Sequence, residues 1–448
     1  MARRRHTLGL WMNGSFVGTW SNEPRVGESL QYDLDWVEAR QGRPLSRSLS
    51  FTPGNVPLRG GAVRAYFENL LPDNDIIRER VARRYRLATI DAFDLLGEIG
   101  RDCVGALQIL PEGMSPGDIR RVDATPLAEA EVAHLLRHTI QPSPLTDASL
   151  DQDDFRISIA GAQEKTALLY DGGRWCKPHG STPTTHIFKF PLGAVGPLKM
   201  DLSASVENEW LCAEILRAYG LPVARCEPLR FEDMRVLCVE RFDRVWAQSD
   251  DGVPWLIRRP QEDMCQATGT PPHLKYESEG GPGMARIMEI LRGSLHPDRD
   301  RRQFFQAQVL FWMLCAIDGH AKNFSLFIRS RGAYEMTPLY DVLSAHPVLG
   351  EGPHKLSPFR ARMAMAVRGK NPHKLMKDIR RRHWLTVGER HGIVSAEGQG
   401  AQSVIDDLVA RTPGVVQTVR ARLPKDFPEE LADSILNGLQ ASAGRLAA

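Results

Sequence analysis

The chain has 448 residues, more than one compact core usually fills, so two or three domains are expected. Its 57 basic and 55 acidic side chains give a net charge of +2, which excludes a global field that would make the whole molecule a binder of nucleic acid or membrane. Seven dispersed cysteines without a C-x-x-C pair, no run near the ~18 apolar residues of a membrane helix, and a basic start without an apolar signal segment predict a soluble, cytoplasmic protein with no membrane partner.

The first part of the chain predicts an amino-terminal α/β subdomain. Asn13-Gly14 stands between two apolar-rich arms, which indicates a β-hairpin. Helical spacing of apolar residues follows on both sides of Pro72, VGALQILPEG predicts a strand, and a further helix is predicted to open at Pro126. We therefore assign residues 1–140 to this subdomain, and the polar, proline-bearing stretch 141–154 to a linker.

The rest of the chain predicts a strand-rich segment and then a helix-rich one. Residues 155–245 indicate a nucleotide-binding sheet with one helix, SVENEWLCAEILRAYGLP, which Gly220 closes. Residues 246–448 are predicted to be helical and to include the catalytic loop. Within them RRQFFQAQVLFWMLCAI is apolar on most sides as far as Ile317, which predicts a buried helix. Two lobes with a cleft between them are expected.

A polar segment, DGHAKN, interrupts this apolar region. Asp318 and Asn323 have the D-x-x-x-x-N spacing that lets one loop hold a base at a nucleophile and an amide on a metal ion. Asp341 follows beyond a predicted strand pair, where a metal-binding carboxylate is expected in a phosphoryl-transfer enzyme. In this interpretation His320 and Lys322 lie near a triphosphate; a core histidine and a solvated lysine are the alternatives.

Upstream, three features predict a phosphate site. Gly161, between the small Ala160 and Ala162, would let the backbone of a turn approach a phosphate closely. Lys189 ends a strand in a position that would place its ammonium in a cleft, and Glu209, early in the next helix, would hold it by an ion pair. A strand-end lysine that reaches water and a first-turn acid favoured by the helix dipole are the alternatives.

Two further segments predict binding surfaces. Glu240 and Phe242 follow the last strand before the helical part, where a hinge would meet adenine; an ordinary edge strand is the alternative. Residues 368–391 carry eight Lys or Arg against two acids, which is typical of a contact with the phosphate backbone of DNA and also of a solvated helix face.

Several long blocks together resemble the HipA-type serine/threonine kinase toxins of bacterial type II toxin–antitoxin systems, over nearly the whole chain. These blocks are ISIAGAQEKTALL, PTTHIFKFP, VENEW, VERFDR, PQEDMCQATG, KYESEGGPG, IDGHAKNFS and LYDVLSA. The resemblance implies an α+β, bilobed protein-kinase-like fold with an extra N-terminal α/β subdomain and an all-helical C-terminal lobe. It also implies ATP and Mg²⁺ as cofactors, and as substrate a serine or threonine of a translation protein, expected to be an aminoacyl-tRNA synthetase.

The resemblance also implies roles for single residues. Asp318 is expected to be the catalytic base, Asn323 and Asp341 the Mg²⁺ ligands, and Lys189 a phosphate-binding lysine with Glu209 as its partner. The other residues expected at the nucleotide are Ala160, Gly161, Ala162, Gln163, Glu164, Lys165, Glu240, Arg241, Phe242, His320, Ala321, Lys322 and Tyr340. The segment Tyr340-Asp341-Val342 replaces the D-F-G of protein kinases, so activation-loop arguments do not apply.

Regulation and partners are implied as well. Ser158 stands where the family carries an autophosphorylated serine, and a phosphate there should expel the nucleotide loop and switch the enzyme off. The expected partner is a small helix-turn-helix antitoxin dimer on operator DNA, which the basic residues would touch from the side, namely Lys377, Arg380, Arg381 and Arg382. A catalytically silent co-repressor and a small-molecule phosphotransferase remain alternative functions.

Overall fold

The structure is a computed structural model, and it describes residues 6–140, 160–161 and 163–448. The predicted linker 141–154, Ser158 and Ala162 lie outside the described residues. The helices are α1 Leu34–Glu38, α2 Gly61–Glu68, α3 Asp75–Arg84, α4 Ala92–Ile99, α5 Glu129–Ile140, α6 Ser205–Ala218, α7 Met264–Thr268, α8 Met284–Leu291, α9 Pro297–Met313, α10 Arg381–Arg390, α11 Ala401–Arg420 and α12 Glu429–Ala447. The strands are β1 Thr7–Met12, β2 Ser15–Glu23, β3 Gly27–Tyr32, β4 Leu58–Arg59, β5 Leu107–Pro111, β6 Ala124–Pro126, β7 Lys165–Asp171, β8 Arg174–Pro178, β9 His186–Lys189, β10 Ala194–Val195, β11 Met200–Asp201, β12 Cys226–Phe231, β13 Met234–Glu240, β14 Arg244–Gln248, β15 Pro254–Arg258, β16 Gln261–Asp263, β17 Ser325–Ile328, β18 Tyr334–Met336, β19 Arg362–Arg368 and β20 Pro372–Leu375.

The chain divides into two compact units, each assembled from discontinuous segments, and the predicted α+β class is confirmed. The first unit comprises Met1–Phe190, Leu229–His273 and Leu326–Ala333, and the second comprises Pro191–Pro228, Leu274–Ser325 and Tyr334–Ala448. The predicted domain boundaries at residues 140, 154 and 245 divide the chain into consecutive stretches, whereas each compact unit combines separate segments. The two divisions cannot be compared directly, so these boundaries stay predictions. Among the described residues, no helix is long and apolar enough to cross a bilayer.

An antiparallel sheet with strand order β4-β3-β2-β1-β5 opens the first unit. The predicted hairpin at Asn13-Gly14 is confirmed, and both residues have the positive φ, 45° and 81°, that a two-residue turn of this twist requires. Inside the unit, the Trp20 ring stacks on Phe67 with centroids 3.7 Å apart, and the Phe93 ring meets Trp20 edge-on. These aromatic contacts fix α2 and α4 against the sheet.

The second sheet of this unit has the order β12-β13-β9-β7-β8-β6 and carries the predicted phosphate-binding lysine. Phe188 on β9 lies in the buried cluster that includes Val132 and Leu136 of α5. Because side chains alternate along a strand, Lys189 faces the opposite side from α5. The helix predicted to open at Pro126 begins instead at Glu129, since Pro126 still pairs with β8 and the Leu127 amide continues that ladder to the Trp175 carbonyl.

A buried charge network holds the first unit together near the end of β13. The carboxylate of Asp102 accepts hydrogen bonds from Arg244, Arg258 and Arg241 at 2.8, 3.3 and 3.2 Å. Asp243 binds Arg241 at 2.9 Å and accepts from the Gly105 amide at 2.7 Å. Burial would raise the pKa of Asp102, but the three surrounding guanidinium charges outweigh it and hold the pKa well below its usual range.

The second unit is rich in helices, with α9 and α6 packed against the carboxyl-terminal pair α11 and α12. The helix predicted to close at Gly220 is confirmed as α6, and Gly220 adopts a φ of 84°. The prediction of an all-helical lobe is incomplete, because β19 and β20 form an antiparallel hairpin in this unit. The five central residues of β19, Met363 to Val367, are all buried, and this strand packs against α8 and α10.

Candidate functional site

The end of α9 determines where the polar loop begins. The helix ends at Met313, before the predicted Ile317, because Cys315 takes a φ of 52° and turns the chain away from the helix axis. The Ser344 hydroxyl donates to the Leu314 carbonyl at 2.6 Å, and the Ala345 amide donates to the Cys315 carbonyl at 3.0 Å. The chain segment that follows Asp341 therefore caps the end of α9.

The loop Asp318–Asn323 exposes its carboxylate and buries the rest. The side chain of Asp318 is 60% exposed, whereas that of His320 is 6% exposed. Gly319 packs directly on the Phe311 ring of α9, and a Cβ at this position would lie 2.5 Å from that ring. A side chain at residue 319 would therefore push the loop off the helix, so the packing of the loop on α9 requires glycine at this position.

Asn323 joins the two segments that were predicted to hold metal. Its Nδ2 donates to the main-chain oxygen of Asp318 at 2.9 Å and to that of Asp341 at 3.5 Å. Asp341 has a φ of 61°, a left-handed conformation that is costly for a residue other than glycine and that recurs at functional sites. The structure thus brings Asp318, Asn323 and Asp341 together within the second unit.

Tyr340 fixes the segment before Asp341. Its hydroxyl donates to the Lys322 main-chain oxygen at 2.8 Å and lies 2.5 Å from the Ser325 hydroxyl. The phenol of Tyr340 therefore ties the segment before Asp341 to the carboxyl end of the loop, and a contact of this side chain with nucleotide stays a prediction.

A second segment of the unit, residues 275–277, meets the loop from the other side. The Tyr276 hydroxyl donates to Oδ1 of Asp318, and its ring lies edge-on to the His320 ring with centroids 5.0 Å apart. The Ala321 amide donates to the Lys275 carbonyl at 3.3 Å. The exposed carboxylate therefore stands between a phenol and an imidazole, a setting suited to proton transfer.

In the first unit, the predicted nucleotide loop is held by contacts with the amino-terminal segment. Gly161 accepts a hydrogen bond at its carbonyl from the Asp73 amide at 3.1 Å, and Glu164 forms an ion pair with Arg80. Gly161 adopts a φ of 112°, where a Cβ would lie 2.6 Å from Nζ of Lys165. This φ favours glycine at the turn, and the close approach of a phosphate to Gly161 stays a prediction.

Lys165 and Lys189 are directly opposite each other on β7 and β9. Cross-strand partners lie on the same face of a sheet, so these two side chains share one face. Lys189 is only 6% exposed, and Nζ of Lys165 donates to the Ala160 carbonyl at 2.7 Å. This pair of ammonium groups is suited to the binding of a phosphate.

At the predicted hinge, residues 240–242, the structure gives the side chain of Arg241 a role separate from that of its main chain. The Arg241 guanidinium lies inside the buried charge network, where it also contacts the Thr184 hydroxyl and the Cys103 carbonyl. The Arg241 amide donates to the Thr185 carbonyl at 2.8 Å. The Arg241 side chain is thus structural in this fold, and adenine contacts by the hinge residues Glu240 to Phe242 stay predictions.

The remaining predicted residues are placed as follows. Glu209 is buried on α6 in the second unit and Lys189 is buried in the first, and their ion pair stays a prediction. In the basic cluster, Lys377, Arg380 and Arg382 are exposed. Arg381 is instead engaged by Asp406 and by the main-chain oxygen of Leu446, both at the carboxyl-terminal helices. The cluster therefore offers fewer cations to a ligand than its sequence suggests.

Sequence reasoning missed Tyr276 and the buried network around Asp102. Tyr276 lies within a block that carries the family resemblance, but it is 42 residues from Asp318, and no periodicity or spacing links the two. Asp102 and Arg241 are 139 residues apart. Pairings of this kind are formed by the fold and leave no local signal in the chain.

Comparisons with known proteins are consistent with this geometry. Two family models match the chain: the HipA N-terminal domain over residues 8–110 and the HipA-like C-terminal domain over residues 157–416. A putative kinase of Sinorhizobium fredii is 34% identical over 349 residues, which covers 76% of this chain and 78% of the relative. The serine/threonine-protein kinase toxin HipA of Shewanella oneidensis is 26% identical over 355 residues, which covers 75% of either chain.

A solved structure shows the same fold. HipA of Shewanella oneidensis, in complex with HipB and its operator DNA, superposes with a TM-score of 0.75 at 22% identity. The likeness covers 98% of this chain and 97% of that one. It therefore extends over both compact units.

Proposed function

We propose, because this chain belongs to the HipA family of bacterial kinases, that it transfers the γ-phosphate of ATP to a serine or threonine of a translation protein. An aminoacyl-tRNA synthetase is the expected acceptor. The observation that carries the proposal is the loop Asp318–Asn323, in which Asp318 exposes its carboxylate and the Asn323 side-chain amide joins the main chain of Asp318 to that of Asp341.

The residues of this loop supply the proton chemistry. The acceptor hydroxyl oxygen forms a bond to the γ-phosphorus, the bond from that phosphorus to the β–γ bridging oxygen breaks, and ADP leaves. The hydroxyl proton passes to the carboxylate of Asp318, which acts as general base. The exposure of this carboxylate leaves room for a protein side chain to reach it.

Asn323 and Asp341 fit a magnesium ion that arrives with the nucleotide. Nδ2 of Asn323 is used by two main-chain oxygens, and no described residue donates to its Oδ1, which leaves an oxygen ligand. Within the described part of the chain, no group of three or more His, Cys, Asp or Glu side chains could hold a metal ion. Mg²⁺ typically takes one or two such ligands together with waters and substrate phosphates, whose charge it neutralises when bound.

The lysine pair of the first unit supports nucleotide binding. Lys165 and Lys189 present two ammonium groups on one sheet face, next to the glycine turn at residue 161. We assign the binding of the ATP phosphates to these residues and to the main chain of the turn. This proposal assigns nucleotide binding to residues of the first unit.

The direct test is transfer of label from γ-labelled ATP to a panel of purified aminoacyl-tRNA synthetases. We expect label on serine or threonine of one of them, lost on chelation of Mg²⁺. In Asp341→Asn the rate should fall by about 100-fold or more, because loss of even an outer-shell metal partner typically costs 10- to 100-fold. Asp298→Asn, an exposed acid on α9, is the matched control and should keep the wild-type rate.

The two alternative functions give different outcomes in the same experiment. Label on a small metabolite and on no protein would favour a small-molecule phosphotransferase. Absence of any label, with operator binding intact, would favour a catalytically silent co-repressor.

We also propose autophosphorylation of Ser158. A phosphate there adds about −1.5 to −2 charge close in sequence to the loop at residues 160–165, and it would compete with ATP for the ammonium groups of Lys165 and Lys189. The modified chain should therefore be inactive. Peptide mapping reports this state directly, and a fully phosphorylated Ser158 in protein that still transfers label would refute the switch.

Contact with an antitoxin and operator DNA is proposed from the family and from the basic cluster. The solved relative was crystallised with HipB and operator DNA. Here Arg382 lies in the first turn of α10, an end of the helix dipole that disfavours cations, so helix stability does not explain it, whereas the Arg380 guanidinium donates to the main-chain oxygen of Lys377 at 2.5 Å. Their exposure, shared with Lys377, favours a phosphate-backbone contact.

The basic cluster predicts that the affinity for DNA depends on salt concentration. In Lys377→Ala/Arg382→Ala the slope of log affinity against log salt for duplex DNA should decrease by about 2, since each phosphate contact contributes close to one unit. Arg381→Ala is the control, because its guanidinium is engaged by Asp406 and should leave the slope unchanged. Fluorescence anisotropy over a salt series measures both, and equal slopes for the two variants would contradict the assignment.

A further inference from the structure

The Tyr276 hydroxyl is placed on one particular oxygen of the catalytic carboxylate. It donates to Oδ1 of Asp318, and Nε2 of His320 lies 3.9 Å from the same oxygen. No described residue donates a hydrogen bond to Oδ2 of Asp318. The two carboxylate oxygens are therefore chemically different in this fold.

The segment that carries Tyr276 is anchored on both sides of it. On one side the Lys275 carbonyl accepts from the Ala321 amide of the loop. On the other, Glu277 binds the Arg368 guanidinium of β19 at 2.6 and 2.9 Å and accepts from the Ala366 amide.

A glycine completes this anchor. At Gly283 a Cβ would lie 2.5 Å from the carboxyl carbon of Glu277, so only glycine lets the acid reach its partners on β19. The turn at residues 275–283, which is not part of the loop Asp318–Asn323, thus holds Tyr276 against that loop. Because the phenol of Tyr276 is fixed in this way, it can hold the exposed Asp318 carboxylate, which could otherwise rotate, in one orientation.

We propose that Tyr276 is a positioning residue for phosphoryl transfer. By donating to Oδ1 it fixes the plane of the Asp318 carboxylate and leaves Oδ2 to receive the proton of the acceptor hydroxyl, while the Tyr276 proton stays on the phenol. The inference rests on the proposed kinase function, because it assigns a partner to that base. It gives the KYESEGGPG block a role in catalysis without contact between this block and the reacting atoms.

The test is Tyr276→Phe in the transfer assay with γ-labelled ATP. The acceptor is the synthetase that the wild-type enzyme labels. We expect kcat to fall by about 10- to 100-fold, the range typical of outer partners that orient a catalytic group, with KM for ATP and for the acceptor unchanged. Tyr219→Phe is the control, because it removes a different hydrogen-bonded tyrosine hydroxyl in the same unit, the buried partner of Thr412 at 2.6 Å. It should lower stability and leave kcat intact.

A double substitution separates positioning from a merely structural role. If Tyr276 acts through the carboxylate, Tyr276→Phe should have no further effect on the rate in an Asp318→Asn background. An equal loss in both backgrounds would overturn the proposal, and so would a single variant with wild-type kcat or with a raised KM alone. If the wild type itself transfers no label, it is the proposed function that fails, and the two failures are thus distinguishable.

Discussion

Asp318→Asn should lower phosphoryl transfer by about 10²- to 10⁴-fold, the range that a positioned general base contributes. Asparagine keeps the size of the side chain and its contact with Tyr276, but it cannot take the acceptor proton. Because the side chain is 60% exposed, the substitution removes no packing, and stability should stay near that of the wild type. Label transfer to the acceptor and phosphate on the Ser158 peptide should both be lost.

The binding of ATP provides the control for this variant. Thermal shift with ATP and Mg²⁺ should match the wild type, since Asn323, Asp341 and the lysine pair are untouched. Transfer that persists at the wild-type rate in Asp318→Asn would show that another group accepts the proton. A loss of nucleotide binding would instead place Asp318 among the nucleotide ligands.

Asp102→Asn should destabilise the protein by about 3–5 kcal/mol, as expected when one partner of a buried ion pair is removed. Three guanidinium groups surround this carboxylate, and every charged side chain of the network is at most 7% exposed. Without Asp102, Asp243 is the remaining carboxylate of this network. Urea denaturation measures the loss in the free energy of unfolding. If the variant cannot fold, its expression should yield only aggregated protein.

Two comparisons make this result interpretable. Asp433→Ala removes an acid from an exposed ion pair with Arg420 and should cost less than about 1 kcal/mol. In Asp102→Asn/Arg258→Met one surplus cation is removed together with the acid, so part of the stability should return. Burial lowers the pKa of Arg258 to about 10, so its charged form is disfavoured in the interior. No recovery in the double variant would argue against charge imbalance as the cause.

The same network predicts the direction of the acid response. The pKa of Asp102 is lower in the folded chain than its usual value of 3.8, so the unfolded chain binds its proton first as the pH falls. The stability that Asp102 contributes is therefore complete above about pH 4 and is lost as the pH decreases below that value. Asp102→Asn should flatten the stability profile in this range.

Local features of this protein could be predicted from the sequence because their causes are local. The Asn13-Gly14 turn, the helix that closes at Gly220, and the D-x-x-x-x-N spacing each depend on residues within a few positions of one another. The glycine turn at residue 161 likewise follows from its own backbone geometry. Such signals were enough to place Asp318, Asn323 and Asp341 in one candidate site, although the exact end of α9 was not predicted.

Only the tertiary structure decided which side chains those residues meet. Tyr276 reaches Asp318 across 42 residues, and Arg241 reaches Asp102 across 139, which converts a predicted hinge residue into part of a buried network. Arg381 stands in a run of three arginines and differs from its neighbours because the carboxyl-terminal helices bring Asp406 to it. Sequence patterns record which face of an element is apolar, whereas a charged or polar pair is chosen by the packing of distant elements.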